Sequence, residues 1–332
     1  MPDTHLQIRL ASRPKGWVEE SNFRVVEAPI PAVRDGEVLL RNHWLSLDPY
    51  MRGRMNDTKS YAAKVEIDDV MVGGTVSEVV ESKNPKFAAG DFVVAMGGWQ
   101  EYATSDGAGL QKVDARLPLS SYLGAVGMPG VTAHIGLFDI GAPKAGETVV
   151  VSAAAGAVGS IVGQLAKIRG ARAVGIAGGK AKCDYVVSEL GFDACVDYKS
   201  PDFMDALVAA TPSGIDVYFE NVGGAVLDAV LTRLNPFARI PLCGLVSQYN
   251  ATEPYRVKGL GSLLINRVKL QGFIVVDETS KWPAALRDLA GWVAEGKIRC
   301  RETIAEGIRS APRAFIGMLK GENVGKQLVK LV

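Results

Sequence analysis

The chain has 332 residues, of which 48% are hydrophobic and 22% are charged, and its formal net charge at pH 7 is +1. This length is sufficient for two domains with sizeable cores, and the near-zero net charge argues against binding to nucleic acid or to an anionic membrane. The longest apolar stretch is interrupted by glycines, and the N-terminus is polar, so we expect a cytoplasmic protein with no membrane association.

The first part of the chain, up to about residue 120, is predicted to be mainly β-structure. Its apolar segments are short, β-branched or alternating, and prolines and glycines separate them, as in a small barrel or sandwich. The predicted strands lie at 25–26, 37–41, 70–72, 75–80 and 92–96.

From about Ser120 onward, predicted strands alternate with predicted helices. The strands lie at 148–152, 173–177, 194–197, 215–220, 238–243 and 268–275. The helical patterns lie at 157–169, 180–190, 202–210 and 224–234. This alternation predicts the α/β class, with a doubly wound parallel sheet and helices on both of its faces.

The last part of the chain returns to a mixed pattern. A helix is predicted at 283–295, a strand at 298–304, a helix at 311–320 and a final strand at 325–332. We expect this tail to pack back against the N-terminal β region.

One stretch, 149–159, has the pattern of a dinucleotide-binding turn. Three valines predict a buried strand, a run of small residues predicts a tight turn, and apolar residues at helical spacing follow. Gly156 would allow a pyrophosphate to approach the backbone, and Gly159 would let the helix pack on the strand. Ala154 stands where the first glycine of the usual motif would be. The alternative is an ordinary buried strand–helix unit with small residues for packing.

The end of the second strand favours NADP over NAD. An NAD enzyme normally places an acidic residue there to accept hydrogen bonds from the ribose. Here Gly178 and Gly179 follow the strand, and Lys180 and Lys182 stand just beyond. An ammonium attracts the 2′-phosphate of NADP, whereas a carboxylate repels it. The alternative is a pair of solvated lysines at an exposed helix start.

The cysteines and histidines do not suggest a metal site. They are far apart in the sequence and form no Cys-x-x-Cys pair. We interpret the cysteines as reduced structural thiols. The residues concerned are Cys183, Cys195, Cys243, Cys300, His5, His43 and His134.

Several segments together resemble the zinc-independent medium-chain dehydrogenase/reductases, and within them the leukotriene B4 12-hydroxydehydrogenase/prostaglandin reductase group, which includes curcumin reductases and alkenal double-bond reductases. The segments occur in the family's order and span nearly the whole chain. They are Asp48–Arg52, Ala153–Gly159, Tyr218–Gly224, Cys243–Gly244 with Ser247–Asn250, and Gly321–Lys326.

The resemblance implies a GroES-like catalytic domain at 1–122, completed by 298–332, and a Rossmann NADP-binding domain at 123–297. It places a site for NADP(H) on Gly156, Ala157, Val158, Gly159, Lys182, Tyr198, Asn221, Cys243, Gly244, Ser247, Tyr249, Phe273, Ile274, Val275 and Asn323. For Tyr198, the alternative is a half-buried aromatic residue at the sheet edge. Members of the family are often homodimers, and we expect the same here.

The resemblance also implies the reaction. Zinc-dependent relatives hold a catalytic metal with a cysteine, a histidine and an acidic residue, but this chain has no cysteine before Cys183. That pattern leaves NADPH-dependent reduction of the C=C bond of a small α,β-unsaturated ketone or aldehyde. Tyr249 is the predicted donor to the enolate oxygen, and Tyr50 is its rival. Tyr249 would otherwise only form a wall of the pocket. The alternative functions are quinone reduction and non-catalytic NADPH binding.

Overall fold

The computed structural model describes residues 2–114 and 117–332, which form two compact units. One unit consists of the described residues up to Leu123 together with Glu302–Val332. The other unit consists of Gly124–Arg301.

The strands of both units are numbered in chain order. They are β1 Thr4–Leu10, β2 Phe23–Pro29, β3 Val38–Ser46, β4 Thr75–Ser82, β5 Phe92–Ala95, β6 Tyr102–Ser105, β7 Gln111–Lys112, β8 Thr148–Ser152, β9 Arg172–Ala177, β10 Ala194–Asp197, β11 Ile215–Phe219, β12 Leu234–Leu242, β13 Lys269–Gly272, β14 Glu302–Glu306 and β15 Lys326–Lys330.

The α-helices are α1 Tyr50–Arg54, α2 Met128–Ile135, α3 Gly159–Ile168, α4 Lys180–Ser188, α5 Phe203–Ala210, α6 Gly224–Leu231, α7 Gly261–Ile265, α8 Trp282–Ala294 and α9 Ala311–Leu319. Helix α2 continues as a wider π-type turn over Gly136–Gly141.

The first unit is built on a mostly antiparallel sheet. Its strand order is β14-β15-β3-β4-β5-β7, with β6 paired to β3, while β1 and β2 form a separate antiparallel pair. The C-terminal strand β15 pairs with β3, as the sequence led us to expect. The aromatic rings of Phe23 and Trp99 stack in its core, and the Phe315 ring meets both of them edge-on, with ring centroids 5.4–6.4 Å apart.

The second unit is built on a parallel sheet of strand order β10-β9-β8-β11-β12-β13. Strand β8 lies between β9 and β11, with Val150 opposite both Val174 and Tyr218. The side chains of β8 are fully buried, which explains its unbroken run of valines, because a central strand of such a sheet is covered on both faces.

Some predicted boundaries differ from the structure. The strand expected at 70–72 is reduced to a single bridge between Val70 and Arg9, and β1, which pairs with β2, was not predicted. The strand expected at 268–275 ends at Gly272, since a 3₁₀ turn begins at Val275, where the Trp282 indole N–H donates to the Val275 carbonyl at 3.0 Å.

The predicted fold class is confirmed. A sheet-rich unit that contains both ends of the described chain accompanies a doubly wound parallel sheet with the strand order of dinucleotide-binding domains. Within the described ranges, every helix is too short or too polar to cross a membrane.

Candidate functional site

The candidate site lies along the carboxyl edge of the parallel sheet, where ligands of such sheets bind. The segment after each strand of this sheet, whether loop or helix start, carries residues that the sequence predicted to contact a cofactor. They are Gly156–Gly159 after β8, Lys182 after β9, Tyr198 after β10, Asn221 after β11, Cys243, Gly244, Ser247 and Tyr249 after β12, and Phe273–Val275 after β13.

The turn after β8 brings the backbone into the tight path that the sequence predicted. Ala153 adopts a left-handed conformation, φ +52°, and its carbonyl accepts the Gly156 N–H at 2.9 Å. A Cβ atom on Gly156 would lie 3.1 Å from the Ala153 oxygen, and one on Gly159 would clash with that oxygen. Both glycines therefore leave space that a side chain would fill, and α3 begins at the second of them.

The missing first glycine of the motif is compensated by a glycine on the next strand. Ala154 is fully buried, and its N–H donates to the carbonyl of Ile176 at 3.0 Å. A Cβ on Gly175 of β9 would lie 2.8 Å from the Cβ of Ala154. The methyl group of Ala154 thus occupies space that Gly175 leaves open, so the turn keeps its shape without the usual glycine.

A cationic group lies beyond the end of β9. Burial lowers the pKa of Lys182, and the nearby Lys199 cation lowers that pKa further. A Cβ on Gly178 would lie 2.9 Å from Cε1 of Tyr198 and 3.1 Å from Cε of Lys199. The Tyr198 side chain remains 44% exposed. Tyr198 and Lys199 therefore lie against the glycine at which an NAD enzyme would carry an acid, and the Lys182 cation is close enough to Lys199 to feel its charge.

Lys199 was not predicted from the sequence, and the two predicted lysines differ in their surroundings. Lys180 is exposed, and its Nζ donates to Asp184 at 2.7 Å on the outer face of α4. Lys182 is partly buried beside Lys199. Lys199 directly follows Tyr198, just after the end of β10. This position indicates a role at the site only when β10 is known to lie beside β9 in the sheet.

A buried network at the ends of β8 and β11 holds Asn221 in place. The Ser152 hydroxyl donates to Glu220 Oε1 at 2.9 Å, and the Asn221 N–H donates to the Ser152 Oγ at 2.8 Å. The Asn221 side-chain amide donates to the Ser152 carbonyl at 2.8 Å. Burial raises the pKa of Glu220, while hydrogen bonds, the first from the Val222 N–H, oppose that rise. The side-chain oxygen of Asn221 is thus held in a defined orientation.

The turn after β12 carries Cys243, Gly244 and Tyr249. Burial raises the pKa of the Cys243 thiol to about 12, and the Glu220 carboxyl group adds to the rise, so the thiol is neutral at pH 7. The Leu245 N–H donates to the Tyr249 hydroxyl oxygen at 3.4 Å. A Cβ on Gly244 would lie 3.1 Å from the same oxygen. The phenol therefore folds back over the backbone of its own turn.

Phe273 begins the loop after β13 and packs onto the sheet. Its ring meets the Phe219 ring edge-on, with centroids 6.3 Å apart. A Cβ on Gly136 would lie 2.6 Å from Cζ of Phe273, so the ring lies close to the helix backbone there. Val275, the last predicted residue of this loop, is buried.

Two predicted residues, Tyr50 and Asn323, belong to the other unit. Burial raises the pKa of Tyr50, and the Asp48 carboxylate raises it further, so its hydroxyl is protonated at neutral pH. The guanidinium carbon of Arg54 lies 5.7 Å from the centroid of the Tyr50 ring. The Asn323 side-chain amide donates to the Gly325 carbonyl at 2.8 Å.

These residues fit a phosphorylated dinucleotide but do not fit a zinc ion. The space beside Gly156 and the cations beyond β9 suit a pyrophosphate and a further phosphate. Within residues 2–114 and 117–332, no group of three or more His, Cys, Asp or Glu side chains is placed to hold a metal ion.

Comparison with known proteins identifies the family. Residues 6–113 match a family model described as the N-terminal domain of oxidoreductase, and residues 157–291 match one described as zinc-binding dehydrogenase. The chain is 51% identical to the NADPH-dependent curcumin reductase of Escherichia coli, over 97% of this chain and 95% of that protein. It is 46% identical to prostaglandin reductase 1 of Rattus norvegicus, over 95% and 96% of the two chains.

A solved structure agrees with these sequence matches. The crystal structure of CurA from Vibrio vulnificus in complex with NADPH superimposes with a TM-score of 0.95, at 50% identity, and covers 98% of this chain and 99% of that one. The resemblance predicted from the sequence is confirmed: the chain belongs to the zinc-independent medium-chain dehydrogenase/reductases, in the group of curcumin reductase and prostaglandin reductase 1.

Proposed function

We propose that this protein is an NADPH-dependent reductase of the C=C double bond of α,β-unsaturated ketones and aldehydes. The observation that supports NADPH as the cofactor is the position of Tyr198 and Lys199 against Gly178, where an NAD enzyme carries an acid, with the Lys182 cation near Lys199. The names of the relatives agree, since one is an NADPH-dependent curcumin reductase and another is a prostaglandin reductase.

The loops along the carboxyl edge of the sheet would hold the cofactor. The turn at Gly156–Gly159 would receive the pyrophosphate at the N-terminus of α3, and Lys182 and Lys199 would pair with the 2′-phosphate. Asn221 would accept a hydrogen bond through its fixed side-chain oxygen. When bound, NADPH supplies a hydride to the β-carbon of the substrate.

The protein's own contribution to the chemical step is a hydrogen bond to the carbonyl oxygen. Negative charge develops on that oxygen as the β-carbon is reduced, and a donor aimed at it lowers the barrier. We assign this donor to the Tyr249 hydroxyl, with Tyr50 as the rival. The α-carbon then takes a proton from water or from a nearby acid. The result is a saturated ketone or aldehyde.

The proposal is tested by following NADPH absorbance with trans-2-nonenal and with a chalcone, against a control without substrate. We expect both substrates to be consumed and the product to be the saturated carbonyl compound, identified by mass spectrometry. Binding of NADPH without turnover of any substrate would point instead to a cofactor-binding protein. A one-electron product from quinones, with no reduction of enones, would point to a quinone reductase.

The metal dependence, location and assembly of the enzyme also belong to this proposal. We expect turnover to survive dialysis against a strong chelator. We also propose that the protein acts in the cytoplasm as a homodimer, which light scattering of the purified protein tests.

A further inference from the structure

Two cysteines that are distant in the sequence meet beside the proposed 2′-phosphate site. Cys183 lies in the first turns of α4, and Cys195 lies on β10. The Cys195 S–H donates to the Cys183 sulfur, and the two sulfur atoms are 2.9 Å apart. Both cysteines are free thiols in this structure.

We propose that Cys183 and Cys195 form an oxidation site at which hydrogen peroxide produces an intramolecular disulfide that weakens NADPH binding. The effect on the cofactor rests on the proposed function, whereas formation of the bond does not.

The geometry needs little change for the bond to form. A disulfide has a sulfur–sulfur distance of about 2.05 Å, so the two sulfur atoms must approach each other by less than about 1 Å. Gly175 on β9 leaves room around the pair, because a Cβ there would lie 3.2 Å from the Cys195 sulfur. Cys183 is almost fully buried and Cys195 is partly buried, so a small oxidant such as peroxide suits this site better than a bulky one.

The surroundings of the pair assign different roles to the two thiols. The hydrogen bond from Cys195 lowers the pKa of Cys183, although burial and the carboxylates of Asp197 and Asp184 oppose that effect. The pKa of Cys195 is raised, first by the hydrogen bond to Cys183 and then by burial. Cys183 is therefore the attacking thiolate, and Cys195 is the resolving thiol.

The chemistry balances with one peroxide per disulfide. The Cys183 thiolate attacks an oxygen of the peroxide, an S–O bond forms, the O–O bond breaks, and hydroxide leaves to become water. The Cys195 sulfur then attacks the sulfenic acid, an S–S bond forms, the S–O bond breaks, and a second water leaves. Two thiols lose two electrons and two protons in total, and the peroxide is reduced to two waters.

The bond would act on the cofactor through the residues next to each cysteine. Lys182 directly precedes Cys183, whereas Tyr198 and Lys199 follow shortly after Cys195. A disulfide that shifts the first turn of α4 against β10 would move Lys182 relative to Lys199, and so weaken the charge-assisted bonds that we propose they make to the 2′-phosphate. NADH has no 2′-phosphate, so its binding would change little.

The test treats the reduced wild-type protein with hydrogen peroxide and analyses it under non-reducing conditions. We expect a loss of mass equal to two hydrogen atoms and a peptide that links Cys183 to Cys195. Cys183→Ser and Cys195→Ser should abolish the link, whereas Cys300→Ser, which removes an exposed cysteine, should leave it unchanged. Absence of the linked peptide in wild type, with either chain-to-chain disulfides or unpaired sulfinic acid instead, would overturn the proposal.

Calorimetric titration then compares cofactor affinity before and after oxidation. Partial loss of the charge-assisted bonds should raise the NADPH dissociation constant about three- to tenfold, with NADH unchanged and with reversal by a dithiol. If the NADPH dissociation constant of the disulfide form equals that of the reduced protein, the disulfide does not weaken cofactor binding, and this part of the proposal is wrong. If the reduced protein shows no preference for NADPH, the proposed cofactor site fails, while the peptide mapping still decides whether the disulfide forms.

Discussion

Asp197 accepts the backbone N–H of Gly179 through its Oδ1 at 2.7 Å, and the same oxygen accepts the N–H of Lys199 at 2.9 Å. One carboxylate at the end of β10 thus ties together the loop that leads to Lys182 and the loop that carries Lys199. Because α4 begins directly after Gly179, this side chain links the start of the helix that carries Lys182 to the backbone of Lys199.

The first prediction concerns discrimination between the cofactors. Lys182→Ala and Lys199→Ala should each lower kcat/KM for NADPH by about ten- to a hundredfold, because a charge-assisted hydrogen bond to phosphate contributes about 1.5–3 kcal/mol. NADH efficiency should change little. Lys180→Ala is the matched control, since that lysine is exposed and paired with Asp184. Equal losses with both cofactors would show that these lysines do not hold the 2′-phosphate.

The second prediction concerns the turn after β8. Gly159→Ala would place a methyl group against the Ala153 carbonyl, so we expect a loss of about 1–3 kcal/mol in the free energy of unfolding together with weaker NADPH binding. Gly291→Ala in α8 is the control, because a Cβ there meets open space and alanine favours a helix. Urea denaturation measures both variants. If Gly159→Ala is as stable as wild type, the turn after β8 can shift to make room for the methyl group, and the close contact with the Ala153 carbonyl does not require glycine.

The third prediction concerns pH and Glu220. Burial raises the pKa of Glu220, so between its ordinary value near 4.5 and its raised value the folded state binds more protons than the unfolded state. The contribution of Glu220 to the free energy of unfolding is therefore fully present below about pH 4.5, and it is lost as the pH rises through the raised pKa of the folded state.

Glu220→Gln keeps a carbonyl oxygen for Ser152 and Val222 but removes this titration. We expect the variant to gain stability relative to wild type as the pH rises from 4.5 to 8, measured as the difference between urea denaturation curves at each pH. A difference that does not vary with pH would mean that Glu220 does not titrate in this range.

The sequence predicted the succession of elements from β8 to α6 well, because each of the strands β8 to β11 is a short segment rich in apolar residues that is followed by a turn and a helix. The spacing of apolar residues that distinguishes a strand from a helix can be read within a few consecutive residues. The alternation of Leu6, Ile8 and Leu10 with polar residues is such a local signal for β1, but the strand was not predicted from it, whereas the pairing of 70–72 depends on distant segments.

The same limit applies to the candidate site. The glycine turn and Lys182 could be named from the sequence because each lies within a few residues of a strand end. The contribution of Lys199, the filling of the Gly175 space by Ala154, and the meeting of Cys183 with Cys195 all require knowing which strands are neighbours. Strand order depends on contacts across the sheet, which a local pattern does not contain.

The last prediction concerns the donor to the substrate oxygen. The Tyr249 hydroxyl oxygen accepts the Leu245 N–H at 3.4 Å, and a phenol hydroxyl is a group that can donate a hydrogen bond as well as accept one. Tyr249→Phe keeps the ring and removes that donor. Loss of one such donor typically costs about a hundred- to a thousandfold in kcat. Since water or a ribose hydroxyl would partly replace it, we expect about a ten- to hundredfold loss here.

Three measurements distinguish this role from that of a pocket wall. The NADPH dissociation constant of Tyr249→Phe should equal that of wild type, because the ring remains in place. Tyr122→Phe, which removes a hydroxyl that bonds the Asp114 carbonyl at 3.1 Å, should retain full kcat on an enone. Tyr50→Phe should retain most of it. If instead Tyr249→Phe is fully active while Tyr50→Phe is not, the donor is Tyr50, and Tyr249 serves only as part of the wall of the pocket.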